Sequence, residues 1–348
     1  MKNKALQFCS ETIHPGEAVS LALPLPEMFS CAPLYMPVKV VHGRLAGPCL
    51  LVTAAMHGNE LNGTEIINRL LEFAAVKKCR GTLIAVPVLN VQGLVNRSRY
   101  LPSGISLNSC FPGSANGTMG SRIAHIITQE LVAKADVCID LQTGFINYSN
   151  LPQAYVTPGD AASRELALAF NAPVVTNAPL EKQSMRELMW AQNKRFFVYE
   201  AGEAMRFDEH AIKVGVKGLL NVMRKLDMLP ERTNKNKEGE QLKAFFAQKN
   251  IWVRASTSGV SHSKLTLGQY VEQGEVLAVI KDPFGASETE TITCPEAGVV
   301  VGKNNLPLVH EGEGLFQLAV FSKMDQAASH LEDWQEKSEE RFADSGQS

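Results

Sequence analysis

His57 and Glu60 place an imidazole and a carboxylate three residues apart, directly after the apolar run CLLVTAA. Zinc accepts both donor types at about 2.0–2.2 Å. Gly58 between them lets the backbone bend tightly enough for both to reach one ion. The plainer reading is a polar turn that caps a helix beginning near Thr64. Other polar residues sit at the same kind of place. Asn90 follows TLIAVPVL, Gln142 follows VCIDL, and Glu200 ends FFVYE. In an open α/β sheet, ligands bind beyond the carboxyl ends of the strands. The four clusters therefore predict one cleft along one sheet edge.

The elements that would position them alternate. PVKVVHG, CLLVTAA, TLIAVPVL, VCIDL and FFVYE read as strands. Between them run helical patterns, with apolar residues at 66, 67, 70, 71 and 74, at 123, 126, 127 and 131, and at 212, 216, 219, 220 and 223. Residues 160–170 read as a further helix, with Asp160 as its N-cap. Alternation of this kind predicts an α/β fold, a mostly parallel sheet flanked by helices. The pattern stops at Pro230. A polar, charged stretch follows, and then short β-rich runs punctuated by glycines between Ile251 and Phe321, which predict a small all-β sandwich or barrel. The expected units are an N-terminal extension (1–36), an α/β catalytic-type domain (37–229), a linker (230–245), a β domain (246–325) and an acidic C-terminal tail (326–348).

Composition narrows the function classes. The 348 residues are 45% hydrophobic and 20% charged, ample for a packed core. Lys plus Arg number 34 against 36 Asp plus Glu, a net charge of −2 that offers nucleic acid no basic surface. Nothing apolar is long enough for a membrane span, and the basic N-terminal tip lacks the apolar core of a signal peptide. Seven dispersed cysteines without a CxxC read as reduced thiols. The expected location is cytoplasmic.

Taken together, AAMHGNELNG (54–63), VPVLNVQG (86–93), NRSRYLP (96–102), LNSCFPG (107–113), IDLQTG (139–144) and YEAGEAMRFDE (199–209) resemble the succinylglutamate desuccinylase/aspartoacylase family, a branch of the zinc carboxypeptidase clan. The resemblance runs in order over roughly residues 40–230. It implies a zinc-carboxypeptidase-like fold and a hydrolase that cleaves an amide, or an ester, of a small N-acylated amino acid or related compound with metal-activated water. By that resemblance His57 and Glu60 are zinc ligands, with position 142 the third. Arg99 and Asn108 hold the substrate's carboxylate or polarise its carbonyl, with Arg97 a competitor for the arginine's role. Glu200 is the general base. Such roles make physical sense: zinc brings the pKa of its water towards 7, a neighbouring carboxylate moves the proton, and a guanidinium meets the oxyanion.

Three positions depart from the family pattern. Gln142 stands where the family has the third zinc-ligand histidine, and Ser106 and Ser109 stand where it has the aspartate and arginine of Asp-Leu-Asn-Arg. A neutral amide oxygen is a poorer zinc donor than imidazole, and Ser109 offers a carboxylate no guanidinium. The expectation is one zinc ion, held weakly or not at all because of Gln142. The rival reading is a catalytically impaired relative serving as a small-molecule binding or regulatory protein.

GQYVEQGEVLAVIKDPFG followed by ETITCPEAGVVVG resembles the barrel-sandwich fold of biotinyl and lipoyl carrier domains. Residues 282–294, the expected hairpin, contain no lysine for attachment. A lid, a packing module or a contact between copies in a homo-oligomer fits this part better than a swinging arm. Mass spectrometry after co-expression with a biotin or lipoate ligase should show an unmodified mass; either adduct would refute that reading.

Overall fold

The apolar runs of the first 230 residues become strands of one sheet; the computed structural model describes residues 2–27, 33–231, 244–286, 288–322 and 331. Strands β1 (Leu6–Phe8) and β2 (Glu11–Ile13) form a hairpin ahead of β3 (Ala18–Leu25), which pairs antiparallel along β4 (Leu34–His42). Then come β5 (Cys49–Ala54), α1 (Asn62–Glu72), β6 (Thr82–Val86), α2 (Val91–Val95), α3 (Met119–Glu130) and β7 (Val137–Gly144). β8 (Tyr148–Val156), α4 (Ala161–Phe170), β9 (Val174–Asn177), α5 (Met185–Ala191), β10 (Arg195–Glu203) and α6 (Glu209–Lys225) complete this part.

Across the sheet the order is β8-β10-β7-β5-β6-β4-β3. β10, β7, β5 and β6 run parallel, and the flanking β8 and β4 run against them. Apolar residues of α1, α4 and α6 pack one face, and those of α3 and α5 pack the other. Asp160 caps α4 as expected, its Oδ1 accepting the Ser163 N–H at 2.9 Å. The expected α/β class holds. β3 belongs to the sheet although it lies in the stretch read as an N-terminal extension, and Phe8 and Ile13 ahead of it are buried.

β11 (Phe245–Phe246), β12 (Lys249–Arg254), β13 (Gly259–His262), β14 (Tyr270–Val271), β15 (Val276–Lys281), β16 (Glu290–Thr293), β17 (Gly298–Asn304), β18 (Leu308–Val309) and β19 (Gly314–Val320) form the C-terminal part. A small antiparallel sheet, β16-β15-β13-β18, is one of its layers. Its other layer, β12-β19-β17, is continuous with the large sheet, because β17 pairs with β8 through Gly302 opposite Asn150. Val253, Val271, Ile280, Val300 and Leu318 fill the space between the layers. Most of the charged stretch after Pro230 and of the acidic tail lies outside the described residues. Among the described residues no helix is long and apolar enough to cross a membrane.

The turn from β5 into α1 carries His57 and Glu60, and its shape is tightly constrained. Ala55 has φ +48°, which swings the chain sharply off the strand, and the Glu60 N–H returns to the His57 carbonyl at 3.1 Å. At Gly58 a Cβ would land on the backbone of Gly93 and Leu94. Backbone cannot yield as a side-chain tip can, so Gly58→Ala should cost about 3 kcal/mol, the upper end of overpacking penalties. Urea denaturation checks this; a loss below about 0.5 kcal/mol, the size of a neutral surface change, would show that the turn has room to spare.

Candidate functional site

A cavity of about 610 Å³ opens at the carboxyl ends of β5, β7 and β10. His57, Arg99, Asn108, Asp140, Gln142 and Glu200 all line it. Of the strand-end residues, His57, Gln142 and Glu200 line it, whereas Glu60 and Asn90 do not. Trp252 of β12 and Gln317 of β19 supply part of the wall, so the C-terminal strands border the site directly.

Glu60 lies just behind that wall, 1% exposed. Its Oε1 receives the His57 Nδ1 at 2.7 Å and the Arg99 Nη1 at 2.9 Å, while Oε2 accepts the Thr143 N–H at 3.3 Å. Arg99 also lies over the Phe145 ring, its Cζ 4.3 Å from the centroid. Its loop is fixed by Asn90, which caps α2 through the Gly93 N–H at 2.8 Å and reaches the Arg99 carbonyl at 3.5 Å. Charge-assisted hydrogen bonds are the strong kind, and a buried carboxylate requires them.

Asp140 is likewise buried. It accepts the Thr53 hydroxyl at 2.6 Å on Oδ1 and the Gln142 Nε2 at 2.6 Å on Oδ2. Desolvation pushes its carboxyl up to about 6, with those two hydrogen bonds holding it back. Glu200 stands opposite Gln142 in the register of β10 on β7, and the Asn150 amide donates to its Oε1. Burial first, and repulsion from Glu60 second, push the Glu200 carboxyl up to about 8 against the pull of Arg99. A group that titrates near neutrality can accept and return a proton.

The remaining expected residues divide. Asn108 lines the cavity, but its Oδ1 accepts the Met185 N–H at 3.2 Å, which ties the loop to the start of α5. Ser109 also lines the cavity, and it donates its hydroxyl to the Ser106 carbonyl at 2.8 Å. Arg97 does not fit its expected substrate-binding role. It is exposed, with φ +52°, and it does not line the cavity. The left-handed kink sends it outward while Arg99, two residues on, points in.

Sequence reasoning missed Arg186. It sits in the first turn of α5, lines the cavity and donates to the Pro179 carbonyl, and no carboxylate forms an ion pair with it among the described residues. Desolvation lowers its pKa, so the site already carries the cost of holding this cation. Its helix has a readable start signal: Ser184 accepts the Glu187 N–H at 3.1 Å, and Glu187 accepts the Gln183 N–H at 2.6 Å. The Ser-x-x-Glu spacing is that of a capping box, with Glu187 reaching one residue beyond the N-cap, to Gln183.

A zinc ion does not fit the donors as placed. A catalytic zinc needs three protein ligands, and among the described residues no three His, Cys, Asp or Glu side chains form a group that could hold a metal. His57 and Glu60 converge, but the third expected ligand, Gln142, is a neutral amide already tied to Asp140. Glu60 meanwhile has its charge met by Arg99.

The Glu200 shift has a sign that can be tested. A carboxyl raised in the folded state binds its proton more tightly there than when unfolded. The wild type therefore loses stability as pH rises from about 4.5 to about 8. Glu200→Gln removes the titration. Its stability relative to wild type should climb across that window, by at most about 1.4 kcal/mol per pH unit, and stay level below and above it. Because part of Glu200 opens to the cavity, the window is narrower and the total change smaller than for a sealed carboxyl. Urea titrations at a series of pH values measure it, and a constant difference would mean Glu200 titrates as an ordinary carboxylate.

Comparison with known proteins agrees with this geometry. The sequence profile of the succinylglutamate desuccinylase/aspartoacylase catalytic domain matches residues 46–226. An N-alpha-acetyl-L-2,4-diaminobutyric acid deacetylase of Halomonas elongata is 27% identical over 255 residues, 71% of this chain and 74% of that one. The crystal structure of a succinylglutamate desuccinylase/aspartoacylase from Rhodobacter sphaeroides superposes with a TM-score of 0.78 at 21% identity, covering 88% of this chain and 95% of the other. The product-bound ectoine utilization protein EutE (DoeB) of Ruegeria pomeroyi gives 0.77 at 23%, covering 87% and 95%. With the profile spanning more than half of its residues, and the strand-end cavity in the place such a fold requires, this chain belongs to the succinylglutamate desuccinylase/aspartoacylase family.

Proposed function

We propose that this chain is a deacylase-type hydrolase that admits a small N-acylated amino acid, or a related anion, to the 610 Å³ cavity and cleaves its amide bond. The observation that carries this reading is the pairing of Glu200 with Arg99 across one cavity, a proton acceptor near neutrality beside a fixed cation. Glu200 takes a proton from the attacking water and returns it to the departing amine. Arg99, held on Glu60 and Phe145, polarises the acyl carbonyl and meets the charge that develops on its oxygen. Arg186 receives the carboxylate, the task for which Ser109 has no group. The Halomonas relative supports an N-acetylated amino acid as the first substrate to try. No step runs through zinc, because His57, Glu60 and Gln142 fall short of a zinc set.

A second reading is supported by Ser109, folded back on Ser106, and by Gln142, locked on Asp140. A cavity altered in this way would bind its ligand without turning it over. Release of free amine from N-acetyl and N-succinyl amino acids, N-acetyl-diaminobutyrate included, separates the two. Hydrolysis predicts release by wild type, none by Glu200→Gln, and a KM raised about 10- to 100-fold by Arg186→Ala, the loss of one charge-assisted hydrogen bond worth about 1.5–3 kcal/mol. Saturable calorimetric binding across the panel with no amine released would instead establish the binding protein.

A further inference from the structure

Glu60 is a fully buried carboxylate with a cation already on it. Arg99 Nη1 stands 2.9 Å from Oε1, His57 Nδ1 stands 2.7 Å from the same oxygen, and the Thr143 N–H covers Oε2. Arg99 has a second hold, its guanidinium lying over the Phe145 ring, 4.3 Å from the centroid. A zinc ion on Oε1, at its usual distance of about 2 Å, would sit roughly 4–5 Å from that guanidinium, beside a carboxylate that is itself out of water. Two like charges would then share one carboxylate. With a histidine at position 142 a third strong bond could outweigh that repulsion. Gln142 can offer only a neutral amide oxygen, a weaker zinc donor than imidazole, while its nitrogen bonds to Asp140 at 2.6 Å.

We propose that Arg99 takes the place of the family's metal as the counter-charge of Glu60, so that this chain keeps its cavity assembled and receives its ligand without zinc. The consequence is local and specific. His57 and Glu60 keep the positions of metal ligands, but they serve as a hydrogen-bonded mount for the guanidinium. The mount holds whether the bound ligand is hydrolysed or only bound.

Metal content and thermal stability test this without any turnover measurement. Wild-type protein purified without chelator should contain far less than one zinc ion per chain by plasma mass spectrometry. Neither EDTA nor added zinc chloride should move its Tm. Arg99→Gln should bind zinc at least about tenfold more tightly than wild type, a change of the size seen when a metal's neighbours are altered, and zinc should raise its Tm. Near-stoichiometric zinc in the wild type, or a Tm lowered by chelator, would overturn the proposal, as would an Arg99→Gln variant that gains nothing from zinc. If that variant does not fold alone, Glu60→Gln with Arg99→Gln decides. A buried pair makes the double variant more stable than Arg99→Gln by itself, because the orphaned carboxylate is gone. The opposite order would refute the pairing. A zinc-laden wild type would leave hydrolysis possible, and absent hydrolysis would leave the Arg99 mount intact.

Discussion

A carboxylate that is 1% exposed dictates what surrounds it. Removed from water, Glu60 must be met by donors that offset several kcal/mol of lost hydration. Those donors come from three separate pieces of chain: His57 from the β5–α1 turn, Arg99 from the loop after α2, and the Thr143 backbone from the end of β7. None is close to the others in the fold unless the parallel strands stand in the order β7-β5-β6. The ion pair and the sheet topology therefore require each other. Loosening the turn at Gly58, or the Asn90 cap that fixes the Arg99 loop, would reach the same carboxylate from opposite sides.

The C-terminal strands take part in this arrangement through β8. That strand lies antiparallel to β10 on one edge, and its other edge is shared by β9 and β17. Asn150, opposite Gly302 of β17, is also the residue that donates to Glu200. Glu203 extends the link: it accepts the Asn147 N–H at 3.0 Å, the Ser149 hydroxyl at 3.1 Å and the Asn305 amide at 2.9 Å. The β part is thus attached by main-chain ladder and by side chains beside Glu200. Trp252, stacked against Tyr148 at 5.4 Å, completes the cavity wall from that side.

Much of this was legible in the residues. Parallel strands buried on both faces read as unbroken apolar runs, which is why β5, β6, β7 and β10 were recoverable, and strand-end polarity located the cleft. β8 was not recoverable. YSNLPQAYV carries a proline and several polar residues, which argue against a central strand, and only tertiary pairing with β10 and β17 makes it one. Arg97 and Arg99 could not be ranked from spacing, because the choice depends on one positive φ at position 97. Arg186 was hidden for another reason: its seven-residue helix is too short for a periodic pattern.

The three positions read from the sequence as unusual, Ser106, Ser109 and Gln142, bear on whether the site has decayed. A site losing its function by drift tends to leave buried polar atoms without partners, since each substitution removes one half of an existing interaction. Here Ser109 and Gln142 each bond to a neighbour. Ser109 bonds to the Ser106 carbonyl, and Gln142 bonds to Asp140, which Thr53 holds from the other side. The buried side-chain atoms that lack partners among the described residues belong to Asn59, Gln92, Tyr148, Asn150 and Gln153, and none to positions 106, 109 or 142. Gln142 and Ser109 are thus each held by a neighbour, and Glu60 has its charge met by Arg99, so these side chains sit in the site with partners on both sides of it.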